Sequence, residues 1–314
     1  MRGPASRTHR DKDRMTRTPP RPVDVAAEFP ELAGQERPMV RLHPRRGQPG
    51  PRDSSVGGPL LWPAAEPWPR CDAADRHATF APIGTVDLDG RALHGLARDP
   101  RHPATPVVAV AQLLTSDVAG LPCPPGTDTC QVLWCPRMHE PDYGPRVRVH
   151  WRTSATALGA ELAVAPPSDP DTTIDGFIPK PCSVSPERTI DYPAWWELTD
   201  DLRQRIEAWE QGSGWTYASH LGAAPGTKAG GWPQWVQDPE WPTCPRGHAM
   251  DHLLTVASWE YDAESRRTWL PPGQPEGHEG MDDIGVTLGD AGDVYVFTCV
   301  ACDDRPSASV LQSS

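Results

Sequence analysis

Long apolar runs are missing from this sequence. Nowhere among its 314 residues do apolar side chains approach the roughly 18 needed to cross a bilayer, and the first 30 residues hold arginines and prolines where a secretory leader carries an apolar segment. A soluble, cytoplasmic protein with no membrane partner is the expectation. Apolar residues are scarce throughout, at 37% against the usual level of about 45–50%, so disordered segments dilute a modest core. Lysine is almost absent: Lys12, Lys180 and Lys228 stand against 27 arginines, a bias of genome composition rather than of function. Catalytic signatures are missing too. There is no HExxH, and Gly212-Ser213-Gly214 is not a GxSxG elbow. Gly222-Ala-Ala-Pro-Gly226-Thr-Lys228 has three residues between its glycines where a phosphate loop has four, and it reverses the order of Lys and Thr. No nucleophile, base and orienting group are legible together, so no catalytic residue is assigned and an enzyme is unsupported.

What is present is rich in turns and aromatics. The 27 glycines and 39 prolines make up about one residue in five and keep long helices from dominating, while 13 tryptophans show that a core exists. With no export signal, the eight cysteines read as free thiols or metal ligands rather than disulfides. Charge is unevenly spread. Residues 1–52 carry twelve Arg or Lys and six Asp or Glu, leaving 18 against 36 for the remainder. The acidic body argues against nucleic-acid binding, which needs clustered cations; the basic leader has the charge for RNA or lipid headgroups, but reads first as a solvated Pro-rich tail.

The most informative feature is an internal repeat. Gly57-Gly58-x3-Trp62-x5-Trp68-Pro69-x-Cys71 matches Gly230-Gly231-x3-Trp235-x5-Trp241-Pro242-x-Cys244 at a constant offset of 173 residues. Two Trp matches and one Cys match in a chosen register arise by chance roughly once in 20,000 trials, which identifies a duplication. Each copy continues with an apolar strand, a Gly-bearing turn and a second strand ending in cysteine: Val107–Leu114 then Gln131–Cys135, and Leu253–Ser258 then Val294–Cys299. Arg146–Trp151 alternates as an edge strand. Between the copies, Leu198, Leu202, Ile206 and Trp209 predict a helix over 199–211, with Thr199 as its N-cap and Gly212 ending it; residues 23–35 suggest a short helix. The fold class that follows is β-rich α+β with two homologous lobes.

Cys244-Pro-Arg-Gly-His248 and Cys299-Val-Ala-Cys302 form a CxxxH and a CxxC at strand ends, the pattern of a structural zinc site built on two knuckles. Cys244, His248, Cys299 and Cys302 are the candidate metal ligands, zinc the candidate cofactor, and His252 the alternative fourth ligand. The first copy offers Cys71 and Cys135-x3-His139, with His77, Cys123 and Cys130 nearby, but it has no CxxC, and its cysteines read first as small core residues. The repeated tryptophans read as framework; Trp195-Trp196, outside the repeat, are the better ligand surface. His278-Glu279 and Asp282-Asp283 read as solvated acidic loop.

The second copy, Lys228-Ala-Gly-Gly-Trp-Pro-Gln-Trp235 through Cys244, Met250 and Leu253-Leu254 to Cys299-Val-Ala-Cys302, resembles the bacterial YwqG-like family of unknown function and the eukaryotic programmed cell death protein 2 family. The first copy, with Ser55-Val-Gly-Gly-Pro-Leu-Leu-Trp-Pro63, Val110-Ala-Gln-Leu113 and Val132-Leu-Trp-Cys135, resembles the YwqG-like pattern. The matches span most of residues 53–304. The eukaryotic family's chaperone-like role implies a polypeptide-binding module rather than a catalyst. Where its first knuckle has CxxC, this sequence has Gly247 at the second cysteine position, so a histidine must supply the fourth ligand.

These readings divide the chain into a disordered tail (1–52), a first lobe (53–165), a linker with the helix (166–226), a second lobe with the zinc knuckle (227–306) and a short tail (307–314). The expected function is non-catalytic binding of a protein or peptide client, chaperone- or adaptor-like, in a groove between the lobes. The alternatives are an immunity-type protein neutralising a basic toxin, and a hydrolase or nucleic-acid-processing enzyme.

Overall fold

A computed structural model describes residues 18–86, 92–99, 104–157, 159–272 and 283–313. The acidic loop at His278, Glu279 and Asp282, and the first 17 residues, lie outside them. Fourteen strands are described: β1 (Arg37–Arg41), β2 (Arg45–Arg46), β3 (Ser55–Val56), β4 (His77–Val86), β5 (Ala92–Arg98), β6 (Val108–Leu114), β7 (Thr129–His139), β8 (Gly144–Arg152), β9 (Cys182–Ser183), β10 (Glu187–Asp191), β11 (Lys228–Gly230), β12 (Asp251–Ala257), β13 (Asp293–Thr298) and β14 (Ser307–Gln312). They form two antiparallel sheets. Sheet I runs β2-β9-β3-β6-β7-β4-β5, with β8 also on β7; sheet II runs β10-β1-β11-β12-β13-β14.

The two sheets share one register. In sheet I a single rung passes through Arg46, Cys182, Val56, Ala111, Val132 and Val149; in sheet II its counterpart passes through Arg188, Val40, Ala229, Leu254, Val296 and Ser309. Val56 and Ala229 stand 173 residues apart, the repeat offset. The two sheets also shift register at corresponding places, sheet I at Val110 between Ala109 and Ala111 where β6 pairs with β7, and sheet II at Leu253 between His252 and Leu254 where β12 pairs with β13. Most of these rung residues lie in one apolar core between the sheets, with Trp134, Leu113, Phe177, Val256 and Val294. The strands' inner faces bury each other, as two-sheet packing requires, and a cavity of about 190 Å³ lies at the margin of the sandwich, lined from sheet I by His139, Gly144 and Arg146 and from sheet II by Val294, Ser307 and Leu311.

The boundaries differ from those expected. Residues 37–41, placed in the tail, form β1 between β10 and β11 in sheet II, and residues 182–191, placed in the linker, form β9 in sheet I and β10 in sheet II. Both segments are short and charged, and their hydrogen-bonding partners lie far away in sequence, so nothing local marks them as strands. Arg41 is buried in β1 because its guanidinium donates to the Trp269 carbonyl at 2.9 Å and to Thr18 Oγ1 at 2.7 Å. Residues 307–312, read as tail, are β14, an edge strand held by its ladder to β13, with Leu311 packed on the shared core and Ala308 and Val310 on the opposite face. Residues 23–35 fold as α1 (Val25–Glu28), capped by Asp24, and a 3-10 turn at Pro30–Leu32. The expected helix is α2 (Asp200–Ser213), entered at Thr199; it passes Gly212 and ends at Gly214, whose φ of +74° no side chain opposes. Leu198, Leu202 and Ile206 bury its stripe against Val25, Phe29 and Leu32.

Candidate metal centres

Strand periodicity decides where the cysteines point. In β13, Val294 and Val296 enter the shared core while Tyr295 and Phe297 face outward beneath Trp235 and Trp241. Continuing the alternation by two places Cys299 on that outer face. Trp235 stacks on Phe297 at 5.9 Å, and the indole N–H groups of Trp235 and Trp241 both donate to Glu197 Oε1 at 2.6 Å. In β7, Cys130, Val132 and Trp134 face the shared core and Leu133 and Cys135 face outward, under Trp62 and Trp68. The repeated tryptophans are framework, and each outer face carries a Cys/His set.

Sheet II brings together the four expected ligands. Cys244, His248, Cys299 and Cys302 have donor atoms all within 4.8 Å of one another. Cys244 Sγ lies 3.9 Å from Cys302 Sγ and 3.6 Å from His248 Nδ1; His248 Nδ1 lies 3.3 Å from Cys302 Sγ and 3.8 Å from Cys299 Sγ. A tetrahedral ion with Zn–S of about 2.3 Å and Zn–N of about 2.0–2.1 Å sets S–S edges of about 3.8 Å and S–N edges of about 3.6 Å. The residues present fit the ion. Two knuckles hold them: the Cys244 N–H donates to the His248 carbonyl at 2.9 Å and the Gly247 N–H to the Cys244 carbonyl at 2.8 Å, with Gly247 at φ +83° turning the chain. After β13, the Cys299 N–H donates to the Pro306 carbonyl at 3.0 Å and the Arg305 N–H to the Cys302 carbonyl at 3.1 Å. Arg246 and Asp304, bonded at 2.6 and 3.1 Å, tie the knuckles together at the surface. Burial works to raise the Cys244 thiol, but hydrogen bonds from the His248 and Arg246 backbone and from the thiols of Cys299 and Cys302 outweigh it and bring it down to about 7. The Cys299 thiol is pushed up, by burial and then by Cys302 and Cys244. His252 is not a ligand. It is buried on the same face beside Phe297 and Tyr295, turned away from the cysteines by its own bonds, its Nδ1–H donating to the Gly230 carbonyl and its Nε2 accepting from Thr255 Oγ1, each at 2.9 Å.

Sheet I gathers a set that the sequence marked only in part. Cys71, His77, Cys135 and His139 also place their donor atoms within 4.8 Å of one another, and all four residues are buried. Cys71 Sγ lies 3.2 Å from His139 Nε2 and Cys135 Sγ lies 3.5 Å from His77 Nε2. These cysteines are thus not isolated core thiols as expected. Cys130 does face the shared core, and Cys182 donates its thiol to the Asp283 carbonyl at 2.9 Å. His77 is the residue that sequence reading left unassigned. It stands six positions after Cys71, a spacing without a motif, and reaches the site because the first rung of β4 pairs it with His139 of β7.

Other marked residues do different work. Lys228 is fully buried and its Nζ donates to Asp191 Oδ2 at 2.6 Å, so it is a core ion pair rather than a phosphate ligand. Trp195 packs beside Tyr217, while Trp196 is 42% exposed. Outside sheet II's tryptophan cap, a cavity of about 380 Å³ is lined by Trp235, Trp259, Tyr261, Pro225, Asp262 and Asp293 among others. Among the described residues no helix is long and apolar enough to cross a membrane.

No protein-family model matches the chain, and no curated protein matches it either.

Proposed function

We propose that this protein is a non-catalytic polypeptide-binding module of the YwqG-like kind, built by duplication and stapled by zinc at Cys244, His248, Cys299 and Cys302. The observation that carries the reading is the closed donor set. Four protein ligands at tetrahedral edge lengths leave no position for substrate or water, which is the chemistry of a structural ion and not of a catalytic one. The shared rung and the matching register shifts support the duplication. The client is a basic segment: residues 53–314 carry twice as many acidic as basic side chains, and the 380 Å³ cavity pairs indole and phenol walls with the acidic side chains of Asp262 and Asp293, the latter pushed up to about 7 by burial and Glu260. It is large enough for one or two side chains, at the low end of ligand pockets.

The test is binding of the full-length protein to a panel of unstructured peptides of graded charge, read by fluorescence anisotropy at low and high salt. Basic peptides carrying an aromatic residue are expected to bind in a salt-sensitive manner, and Trp259→Ala, which removes a partly exposed wall of the cavity, is expected to weaken them at least tenfold. Binding that ignores peptide charge, or turnover of the peptides, would overturn the reading.

A further inference from the structure

We propose that Cys71, His77, Cys135 and His139 form a second tetrahedral metal site that takes zinc, so that the molecule carries one ion on each outer face of its sandwich.

His77, Cys135, Cys71 and His139 are between 0% and 8% exposed, so two imidazoles and two thiols sit together out of water. Polar groups in that position need partners, and these four have chiefly one another. The His77 ring shows it best: its Nδ1 meets no acceptor, so its orientation rests on Nε2, which points at the Cys135 sulfur. His139 is held from behind, its Nδ1–H directed at the Gly144 carbonyl 3.3 Å away, which leaves the Nε2 lone pair facing Cys71. A backbone carbonyl fixing the tautomer of a ligating histidine is a usual outer-shell arrangement. The two rings lie at 73° with centroids 4.8 Å apart, and the two S–N distances of 3.2 and 3.5 Å are close to the edges of a zinc tetrahedron.

Position supplies a second line. Cys135 and Cys299 each stand two residues beyond matching rungs, Leu133 opposite Ala109 and Phe297 opposite His252. Cys71 and Cys244 are the repeat partners at offset 173. The two sites thus share the same two cysteines and differ in the rest: sheet I completes its set with a histidine four residues after Cys135 and another from the start of β4, whereas sheet II uses the CxxC cysteine and His248. Two soft thiolates with two imidazoles in a closed tetrahedron select zinc among the divalent ions.

The test uses the intact protein purified without chelators. Native mass spectrometry is expected to show two zinc ions per chain. Cys302→Ser is expected to keep one, and Cys135→Ser to keep one. Cobalt substituted into the Cys302→Ser protein is then expected to show sulfur-to-cobalt charge transfer from two thiolates, and cobalt in Cys135→Ser that from three. A wild-type protein with a single zinc that Cys302→Ser abolishes would overturn the proposal, as would alkylation of Cys71 and Cys135 in native zinc-loaded protein at the rate of free thiols. Neither readout depends on peptide binding, so this site and the binding reading stand or fall separately.

Discussion

Gly231 shows how much a single hydrogen atom carries here. Its φ is +72°, and a Cβ on it would come within 2.6 Å of Asp191 Oδ2 and 2.9 Å of Met39 Cβ. The carboxylate has nowhere to go: it accepts from Lys228 Nζ at 2.6 Å, and from the backbone N–H groups of Ala224 and Trp232 at 2.7 and 3.1 Å. Gly231→Ala is therefore expected to cost about 2–4 kcal/mol in urea unfolding, from left-handed strain together with displacement of a buried ion pair. An unchanged midpoint would count against the geometry. His252 ties stability to pH. Burial, with the nearby Lys228 charge, depresses its folded-state pKa to about 3, below the ordinary 6.5. The unfolded chain thus binds a proton that the folded chain refuses, so this stability is complete above pH 6.5 and is lost as pH falls toward 3, on the order of 5 kcal/mol in all. His252→Gln is expected to flatten the fall in unfolding free energy between pH 6.5 and 4; curves parallel to wild type would remove His252 as the cause. Among metal ligands, the CxxxH and CxxC were legible because short spacings reflect knuckles. His77 was not, since its place depends on which strand β4 pairs with.

At the level of elements, the strands that carry the shared core were readable and those that close the sheets were not. Val107–Leu114, Gln131–Cys135, Leu253–Ser258 and Val294–Cys299 are apolar on both faces because both faces are covered, one by the opposite sheet and one by a tryptophan cap. β1 and β10 carry arginines, threonine and glutamate and β9 is only Cys182-Ser183, so long-range pairing, not local pattern, makes them strands. The consequence concerns truncation. Removing residues 1–47 takes away β1, which has β10 on one side and β11 on the other, along with the Arg41 contact to Trp269. Eight residues of ladder are left without their partner strand in the middle of sheet II, Glu187–Asp191 and Lys228–Gly230. The truncated chain is expected to be insoluble or to melt well below the full-length protein by circular dichroism. An equal melting temperature would return β1 to the status of a dispensable leader.

For the whole molecule, the strand order implies interlocked halves. β1 comes from the N-terminal half of the chain yet sits in sheet II, and β9 comes from the C-terminal half yet sits in sheet I. The same exchange recurs in the core, where Phe177, beyond the break between halves, packs against sheet I and accepts a hydrogen bond from Trp134 Nε1 at 2.6 Å. Each half alone would lack an interior strand and would expose the entire inner face of its sheet, including Val56, Val110 and Val132 in one and Leu254, Val256 and Val296 in the other. An apolar face of that size is not tolerated in water. Chains of residues 1–166 and 167–314, cut in a segment where Val164 is 91% exposed, are therefore expected to be disordered or aggregated when made separately, and to form a soluble one-to-one complex with a single cooperative melt when made together. Size-exclusion chromatography and calorimetry read both outcomes. A folded, cooperative half on its own would mean that the sheets are independent lobes, and that the exchanged strands are accessory to them.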